Sequence, residues 1–154
     1  YLLTTPLQLV TMVSRIANSK FAVSPSLIMS SENKNFNELN INIEHLNFIK
    51  KAMEKVVVGR NGTARNYKIG SKNIEMAGKT GTVQVVRISE AEREQGLIKN
   101  EDRPWEKRDH ALFVGYAPVL NPKYAVSVVV EHGGSGSSVA APIARDVFKH
   151  LFKL

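Results

Sequence analysis

The sequence predicts an α+β fold in which an antiparallel sheet is flanked by helices. Three strand-like segments follow one another between residues 74 and 132, and helical patterns precede and follow them. Only residues 120–123 separate the second strand from the third, and so short a connection favours an antiparallel hairpin. The closing helix carries its apolar residues on one side, so we expect it to cover one face of the sheet.

Two helices are predicted before the sheet. Thr5 suits a helix N-cap and Pro6 the first helical position, and apolar residues then recur at helical spacing until residues 18–19 end the helix. Residues 21–29 predict a short strand. Residues 46–59 predict the second helix, which a glycine ends. Its buried side is predicted to hold apolar residues: Phe48, Met53, and Val56 or Val57.

The sheet is predicted from three apolar segments. Residues 74–88 form the first strand, and residues 110–119 and 124–132 form the other two. The first segment is assigned from its β-branched residues: Val83, Val85 and Val86. A charged insertion over residues 89–108, with six acidic and five basic side chains, separates it from the second.

The closing helix is predicted over residues 137–154, with Ser137 or Ser138 near its cap. Its apolar face is predicted to contain four large side chains: Ile143, Val147, Phe148 and Leu151. This face is expected to pack on the sheet.

Composition limits the classes of protein to which the chain can belong. Its 154 residues, 43% of them apolar, can form one domain or a piece of a larger one. There is no run of about 18 apolar residues to span a membrane, and a chain without cysteine forms neither disulfides nor thiolate metal sites. Because the chain begins at Tyr1 without an initiator Met and shows no signal peptide, we expect it to be a piece of a longer protein.

The net charge of +7 is concentrated in one region. Residues 50–79 hold eight basic side chains and only two acidic ones. A basic stretch attracts nucleic acid, anionic lipid or a substrate that carries a carboxylate. A solvated helix face is the alternative interpretation.

The residues with the most chemical content are Lys79, Thr80, Gly81 and Thr82, at the start of the first long strand. A phosphate-binding loop requires a glycine five positions before Gly-Lys-Thr and a helix after it. Asn73 and a strand pattern stand in those places, so this interpretation is rejected. Two interpretations of Lys79 to Thr82 remain. One is a glycine turn without a chemical role, and the other is a binding site for a carboxylate, the carboxylate seat, beside an oxyanion site.

In the second interpretation each residue type has a task. Lys79 supplies positive charge near a carboxylate. Thr80 and Thr82 stand two residues apart, so their hydroxyls share a strand face and can donate to that carboxylate. Gly81 allows close backbone packing. The backbone N–H of Thr82 can stabilise an oxyanion, a contribution of roughly 3 kcal/mol per donor in hydrolases.

The segments around this motif resemble class B penicillin-binding proteins. The similarity covers TPLQLVTMVSRIANS, RNGTAR, MAGKTGTVQV, DHALFVGYAPV and NPKYAVSVVVEHGG in this order, and the closing helix. Lys-Thr-Gly is a signature of penicillin-recognising serine enzymes. The RNGTA segment and the insertion before Asp109-His110 look most like the elongation type, penicillin-binding protein 2.

This resemblance implies a β-lactamase/transpeptidase-like sheet, incomplete here, with residues 1–154 as the C-terminal portion of one transpeptidase domain. It implies a peptidoglycan D,D-transpeptidase that cross-links stem peptides by serine acyl transfer and binds β-lactams. Lys79, Thr80, Gly81 and Thr82 would bind substrate, and Lys79 and the Thr82 N–H would also be catalytic. Neither a cofactor nor a metal is expected.

The expected partners are stem peptides, β-lactams and, in the full-length protein, cell-wall elongation proteins, with no nucleic acid. The expected location is the bacterial inner membrane, with the catalytic domain on the periplasmic or outer face. A segment outside this chain would supply the anchor. In the family that the chain resembles, the insertion over residues 89–108 lies close to the cleft, and a lid is one interpretation of its role.

The chain departs from the family pattern at the nucleophile. Ser31-Glu32-Asn33-Lys34 has the spacing of Ser-x-x-Lys, but it lies in a polar run without helical periodicity, where nothing would bury the lysine and lower its pKa. It also lies too close to Lys79. Ser31-x-Asn33 matches the second family signature as well, and one segment cannot fill both places. The nucleophile is therefore expected to be absent from this chain, which is expected to be inactive alone.

Other functions stay open at this level. A β-lactam-sensing domain of the same fold is one alternative, and a β-lactamase is another, although no activator of a hydrolytic water is evident. Nucleic-acid binding would rest on the basic stretch alone, which has little aromatic interleaving. The four histidines, whose spacing does not fit a metal site, are interpreted as structural or surface residues: His45, His110, His132 and His150.

Overall fold

The computed structural model describes residues 3–28, 35–71, 73–96 and 98–154. These residues form four α-helices and a three-stranded sheet. In chain order the elements are α1 (Pro6–Asn18), α2 (Ile43–Val58), β1 (Ala77–Val83), α3 (Glu90–Gln95), β2 (His110–Ala117), β3 (Tyr124–Val130) and α4 (Ala141–Phe152). Short helical turns lie between them: three 3₁₀ turns at Arg65–Tyr67, Asn100–Asp102 and Trp105–Lys107, and a π-helical turn at Gly136–Ala140.

The strands pair in the order β1-β2-β3 and are antiparallel throughout. The predicted α+β fold with a β2-β3 hairpin is therefore confirmed. Within the described residues β1 pairs only with β2, so it forms one edge of the sheet. Every second residue of β1 consequently points both its N–H and its C=O away from β2.

The two faces of the sheet belong to two hydrophobic clusters. Side chains of directly paired residues share a face, so the pairs Lys79↔Val114 and Thr80↔Phe113 mark opposite faces. Helices α1 and α2 cover the face of Lys79, in a cluster of buried residues: Val13, Ala17, Met53, Ala77, Val114 and Tyr116. Helix α4 and the π-helical turn cover the face of Thr80, where Phe113 and Phe148 are fully buried.

The N-terminal helix forms as predicted. The Thr5 hydroxyl accepts from the Gln8 backbone N–H, and the Gln8 side chain accepts from the Thr5 N–H, which completes a capping box. The helix ends at Ser19, which adopts a left-handed conformation with φ of 61°.

The second helix begins earlier than predicted and buries a different set of residues. Asn42 caps it, so the helix starts at Ile43 rather than near residue 46. Met53 and Val57 are buried as predicted, but Phe48 is 75% exposed. Phe48 lies five residues from Met53, about 140° away around the helix, so it does not share the buried side of Met53.

Gly59 ends α2 for a steric reason. Its φ of −67° is accessible to any residue, but a Cβ at this position would clash with the Lys55 carbonyl oxygen.

The predicted strand over residues 21–29 is wrong, and all three strands of the sheet are shorter than predicted. In the described part of residues 21–29, only Phe21 pairs, in an isolated bridge with Glu38. Strand β1 ends at Val83, opposite the first residue of β2, so Val85 has no strand partner there. The Val85 N–H instead donates to the Asp109 carboxylate over 3.3 Å.

The closing helix packs on the sheet as predicted, but of its four predicted core residues only Phe148 is buried. Its buried residues are Ala141, Ala144 and Phe148, whereas three of the predicted residues are at least 40% exposed: Ile143, Val147 and Leu151. The alanine stripe lies about 100° from the predicted one, and its small side chains allow the helix to approach the sheet closely. Neither Ser137 nor Ser138 caps α4, whose N-cap position is Ala140; Ser137 Oγ lies 2.9 Å from Ser135 Oγ.

The charged insertion is tied to the ends of the strands. The Asp109 backbone N–H donates to Asn100 Oδ1 over 2.9 Å, and the Asp109 carbonyl accepts from the Gly134 N–H over 2.8 Å. The ring of Trp105 lies 4.5 Å from the ring of His132, whose backbone N–H donates to His110 Nδ1. Trp105 therefore anchors the insertion.

Apolar surface is exposed on α1 and α2. The two helices and β1 enclose an open groove of about 570 Å³ with a largely apolar wall, which includes Leu9, Met12 and Phe48. In the parts of the chain that are described, every helix is too short or too polar to cross a lipid bilayer.

Tyr116 provides a test of this packing. It is fully buried, and its hydroxyl finds no partner among the described residues. Burial, with a smaller effect from the negative charge of Glu54, raises the pKa of Tyr116 from 10.0 to about 12. The stability that the neutral hydroxyl contributes is present below pH 10 and is lost as the pH rises through about 12, because in this window only the unfolded chain ionises.

Tyr116→Phe should remove this alkaline loss. At about pH 11 the wild-type free energy of unfolding should have fallen by roughly 1 kcal/mol more than that of the variant. Urea unfolding at a series of pH values measures the difference, and Tyr124→Phe, at a more exposed tyrosine, is the matched control. If the free energies of unfolding of wild type and Tyr116→Phe changed in parallel with pH, the raised pKa of Tyr116 would be contradicted.

Candidate active site on the edge strand

Strand β1 carries the four residues predicted to bind substrate. Lys79, Thr80, Gly81 and Thr82 all lie in Ala77–Val83, where the chain is extended. Because Gly78-Lys79-Thr80 continues as strand rather than helix, the rejection of a phosphate loop is confirmed. Lys79 and Thr82 are exposed, and Thr80 and Gly81 are half-buried.

The side chains alternate across the strand. Thr80 and Thr82 pair with Phe113 and Ala111 on the α4 side of the sheet, while Lys79 lies on the α1–α2 side. Lys79 Nζ donates to the Thr80 carbonyl oxygen over 2.6 Å, which holds the ammonium group against the strand. A cation and two hydroxyls are thus presented along one sheet edge.

Two open grooves meet at Lys79. The first is the apolar groove between α1, α2 and β1, which also includes Thr80 and Gly81 in its wall. The second, of about 490 Å³, lies beside the loop after α2 and is lined by three basic side chains: Lys55, Arg60 and Lys79. The excess charge found in the sequence between residues 50 and 79 therefore converges in part on this edge. Such a cluster favours an anionic ligand.

A contact that the sequence did not predict joins this loop to the strand. Thr63 Oγ1 lies 2.9 Å from Thr80 Oγ1, seventeen residues further along the chain. Thr63 belongs to the RNGTAR segment, which follows the predicted second helix and is one of the segments that carry the family resemblance. The spacing of the two residues carries no periodic signal, so only the structure reveals the contact.

Glycines allow other groups to pack directly on the backbone of β1. Gly78 faces Gly115 across the two strands, and the Phe113 ring lies over both, in the space that their side chains would occupy. Gly136, in the π-helical turn, packs against the backbone of Gly81 so closely that a Cβ would clash with the Gly81 and Leu112 carbonyl oxygens. These contacts hold the strand in place from the α4 side.

Other candidate residues lie elsewhere or outside the described residues. Ser31, Asn33 and Lys34 belong to residues 29–34, which the structure does not describe. His110 begins β2, as predicted. Within the described ranges no group of three or more histidine or acidic side chains could hold a metal ion.

The fold and this strand motif define a penicillin-recognising domain. Residues 2–149 match the family described as "Penicillin binding protein transpeptidase domain", and the chain belongs to that family. The peptidoglycan D,D-transpeptidase MrdA of Haemophilus influenzae is 44% identical over 103 residues, which are 66% of this chain and 15% of the relative. MrdA of Acinetobacter baumannii is 32% identical over 95% of this chain and 22% of the relative.

Solved structures agree with this assignment. Penicillin-binding protein 2 of Helicobacter pylori in complex with MreC has a TM-score of 0.79 at 28% identity, over 97% of this chain and 25% of that one. Penicillin-binding protein 2 of Pseudomonas aeruginosa in complex with WCK 5153 has a TM-score of 0.69 at 31% identity, over 96% of this chain and 29% of that one. The predicted resemblance to the penicillin-binding protein 2 type is confirmed. The chain spans between 15% and 25% of the length of these curated relatives.

Gly136→Ala tests whether the π-helical turn supports β1. The added methyl group should clash with the Gly81 and Leu112 carbonyl oxygens and lower the free energy of unfolding by about 2 kcal/mol. The control is Ser138→Ala, at an exposed position of the same turn, which should change stability little. Urea unfolding followed by circular dichroism gives both values. Equal midpoints for the two variants would show that the turn does not press on the strand.

Proposed function

We propose that this chain is the C-terminal portion of the transpeptidase domain of a peptidoglycan D,D-transpeptidase, and that β1 binds the terminal carboxylate of the donor stem peptide. The observation that carries the proposal is the position of Lys79, Thr80 and Thr82 on an edge strand beside two open grooves. The names of the relatives support the same activity. None of the relatives reported above is named as a sensor or a β-lactamase, so those alternatives are not favoured.

The reaction is serine acyl transfer. A serine hydroxyl, on a part of the protein outside this chain, attacks the carbonyl carbon of the penultimate D-Ala. The new C–O bond replaces the peptide C–N bond, and terminal D-Ala leaves as the amine after it takes up the serine proton. An amine from a neighbouring stem then attacks the ester, forms the cross-link and releases the serine.

The residues of β1 divide this work. Lys79 supplies positive charge beside the carboxylate of the leaving D-Ala, and the Thr80 and Thr82 hydroxyls donate hydrogen bonds to it. Gly81 keeps the face of the strand open for the peptide. The Thr82 backbone N–H stabilises the oxyanion of the tetrahedral intermediate. No cofactor takes part.

The partners follow from this role. β-Lactams imitate D-Ala-D-Ala, so their carboxylate occupies the same seat and their ring carbonyl acylates the serine. A structural relative binds MreC, which supports a cell-wall elongation protein as a partner of the full-length protein. The proposed location is the periplasmic or outer face of the bacterial inner membrane, with the anchor in a segment outside this chain.

The 154-residue chain alone should not be labelled covalently by a fluorescent penicillin, because Ser31 is not expected to be a nucleophile. Gel fluorescence after incubation measures this, with a full-length transpeptidase as the positive control. Stoichiometric labelling that is lost on Ser31→Ala would place the nucleophile within the chain and contradict this part of the proposal.

In the full-length protein, Thr82→Val should slow acylation by a fluorescent penicillin about tenfold, since it removes a donor to a charged acceptor without changing the backbone. Ser138→Ala, which alters an exposed hydroxyl residue of the π-helical turn and leaves β1 itself intact, should leave the rate unchanged. The second-order acylation rate constant is the measurement. A wild-type rate constant in Thr82→Val would show that the Thr82 hydroxyl does not bind the carboxylate.

A further inference from the structure

Backbone hydrogen bonds within the loop after α2 place Thr63 beside the edge strand, independently of its contact with Thr80. The Gly62 N–H donates to the Gly59 carbonyl over 3.0 Å, and the Ala64 N–H donates to the Val56 carbonyl over 2.9 Å. These two bonds turn the chain back over the last turn of α2. Thr63 stands between them and projects toward β1.

The backbone of this loop is tightly packed. A Cβ at Gly62 would clash with the Val56 carbonyl oxygen, and Ala64 is fully buried. The Arg65 guanidinium donates to the Arg60 carbonyl over 2.7 Å and braces the outer side of the turn. The position of Thr63 is therefore set by backbone contacts, and its hydroxyl can direct that of Thr80 rather than follow it.

The number of protons decides what the Thr63–Thr80 pair can do. Each hydroxyl has one proton to donate, and at 2.9 Å one of them must donate to the other. A carboxylate only accepts. If Thr80 binds a carboxylate, its proton goes to that ligand, so the proton between the two threonines must come from Thr63.

We infer that Thr63 is a positioning residue for the carboxylate seat: its hydroxyl donates to Thr80 Oγ1 and so directs the Thr80 proton toward the substrate carboxylate. This inference rests on the proposed function, because it assigns a second residue to the same site. Two hydroxyls in series also polarise each other, which strengthens the hydrogen bond from Thr80 to the carboxylate. The three basic residues of the adjoining groove, Lys55, Arg60 and Lys79, attract the carboxylate toward this pair.

The test uses the full-length protein and two ligands, a fluorescent penicillin with a free carboxylate and its methyl ester. Thr63→Val keeps the shape of the side chain but removes the donor. It should lower the acylation rate constant for the free carboxylate roughly fivefold and leave that for the ester unchanged. Thr63→Ser retains the hydroxyl and should restore the wild-type ratio of the two constants.

A matched control is Thr11→Val. The Thr11 hydroxyl donates to the Leu7 carbonyl over 2.7 Å within α1, so its removal should not change the ratio. Each ratio is measured on one preparation, so a smaller folded fraction cancels. Melting temperatures check that the variants fold alike.

The outcomes separate the two proposals. Suppose that the wild type is acylated and that Thr63→Val has the wild-type ratio of the rate constants for the free carboxylate and the ester. This result would overturn the inference and leave the proposed function intact. An equal fall for both ligands would also overturn it, because that pattern reports a structural role. A wild-type protein that neither ligand acylates would overturn the proposed function itself, and the inference with it.

Discussion

The structure depends on how closely other groups pack on the backbone of β1. Gly78 and Gly115 have no side chains, so the Phe113 ring occupies the space over both of them, and Gly136 brings the π-helical turn against Gly81. An edge strand has one row of unpaired peptide groups and is easily displaced. Here the covering ring and turn fix it from the α4 side while its outer edge stays open. The proposed binding site thus lies on a restrained element, and a site of this kind keeps its geometry when a ligand arrives.

The features that local rules determine could be predicted from the sequence. Thr5 and Pro6 determine the start of α1, and the short link after residue 119 determines the β2-β3 hairpin, because few backbone geometries satisfy these sequences. The strand form of Lys79 to Thr82 follows from the β-branched residues around it. Since the side chains of a strand alternate, the shared face of Thr80 and Thr82 follows as well.

The features that remained hidden depend on contacts between distant segments. Helix α4 carries an alanine stripe and a stripe of larger apolar residues, and hydrophobicity alone favours the larger one. The buried side of α4 holds the alanines together with Phe148, because small side chains permit the helix to approach the sheet closely. The end of β1 is set by where β2 begins, and the contact between Thr63 and Thr80 by the turn after α2. The end of β1 and the contact between Thr63 and Thr80 leave no periodic trace in the sequence.

Charge and hydrogen bonding have separate tasks at this edge. Lys79, Lys55 and Arg60 are long, exposed side chains, so their attraction acts over a distance of about a Debye length, roughly 8 Å, and falls with salt. The threonine hydroxyls act only within hydrogen-bond distance, and backbone packing fixes where they stand. In the proposed carboxylate seat, attraction would bring an anion to the groove, and the hydroxyls would determine its orientation. Lys79 belongs to both grooves, one basic and one apolar, so a ligand bound there can place a carboxylate on one side and an apolar group on the other.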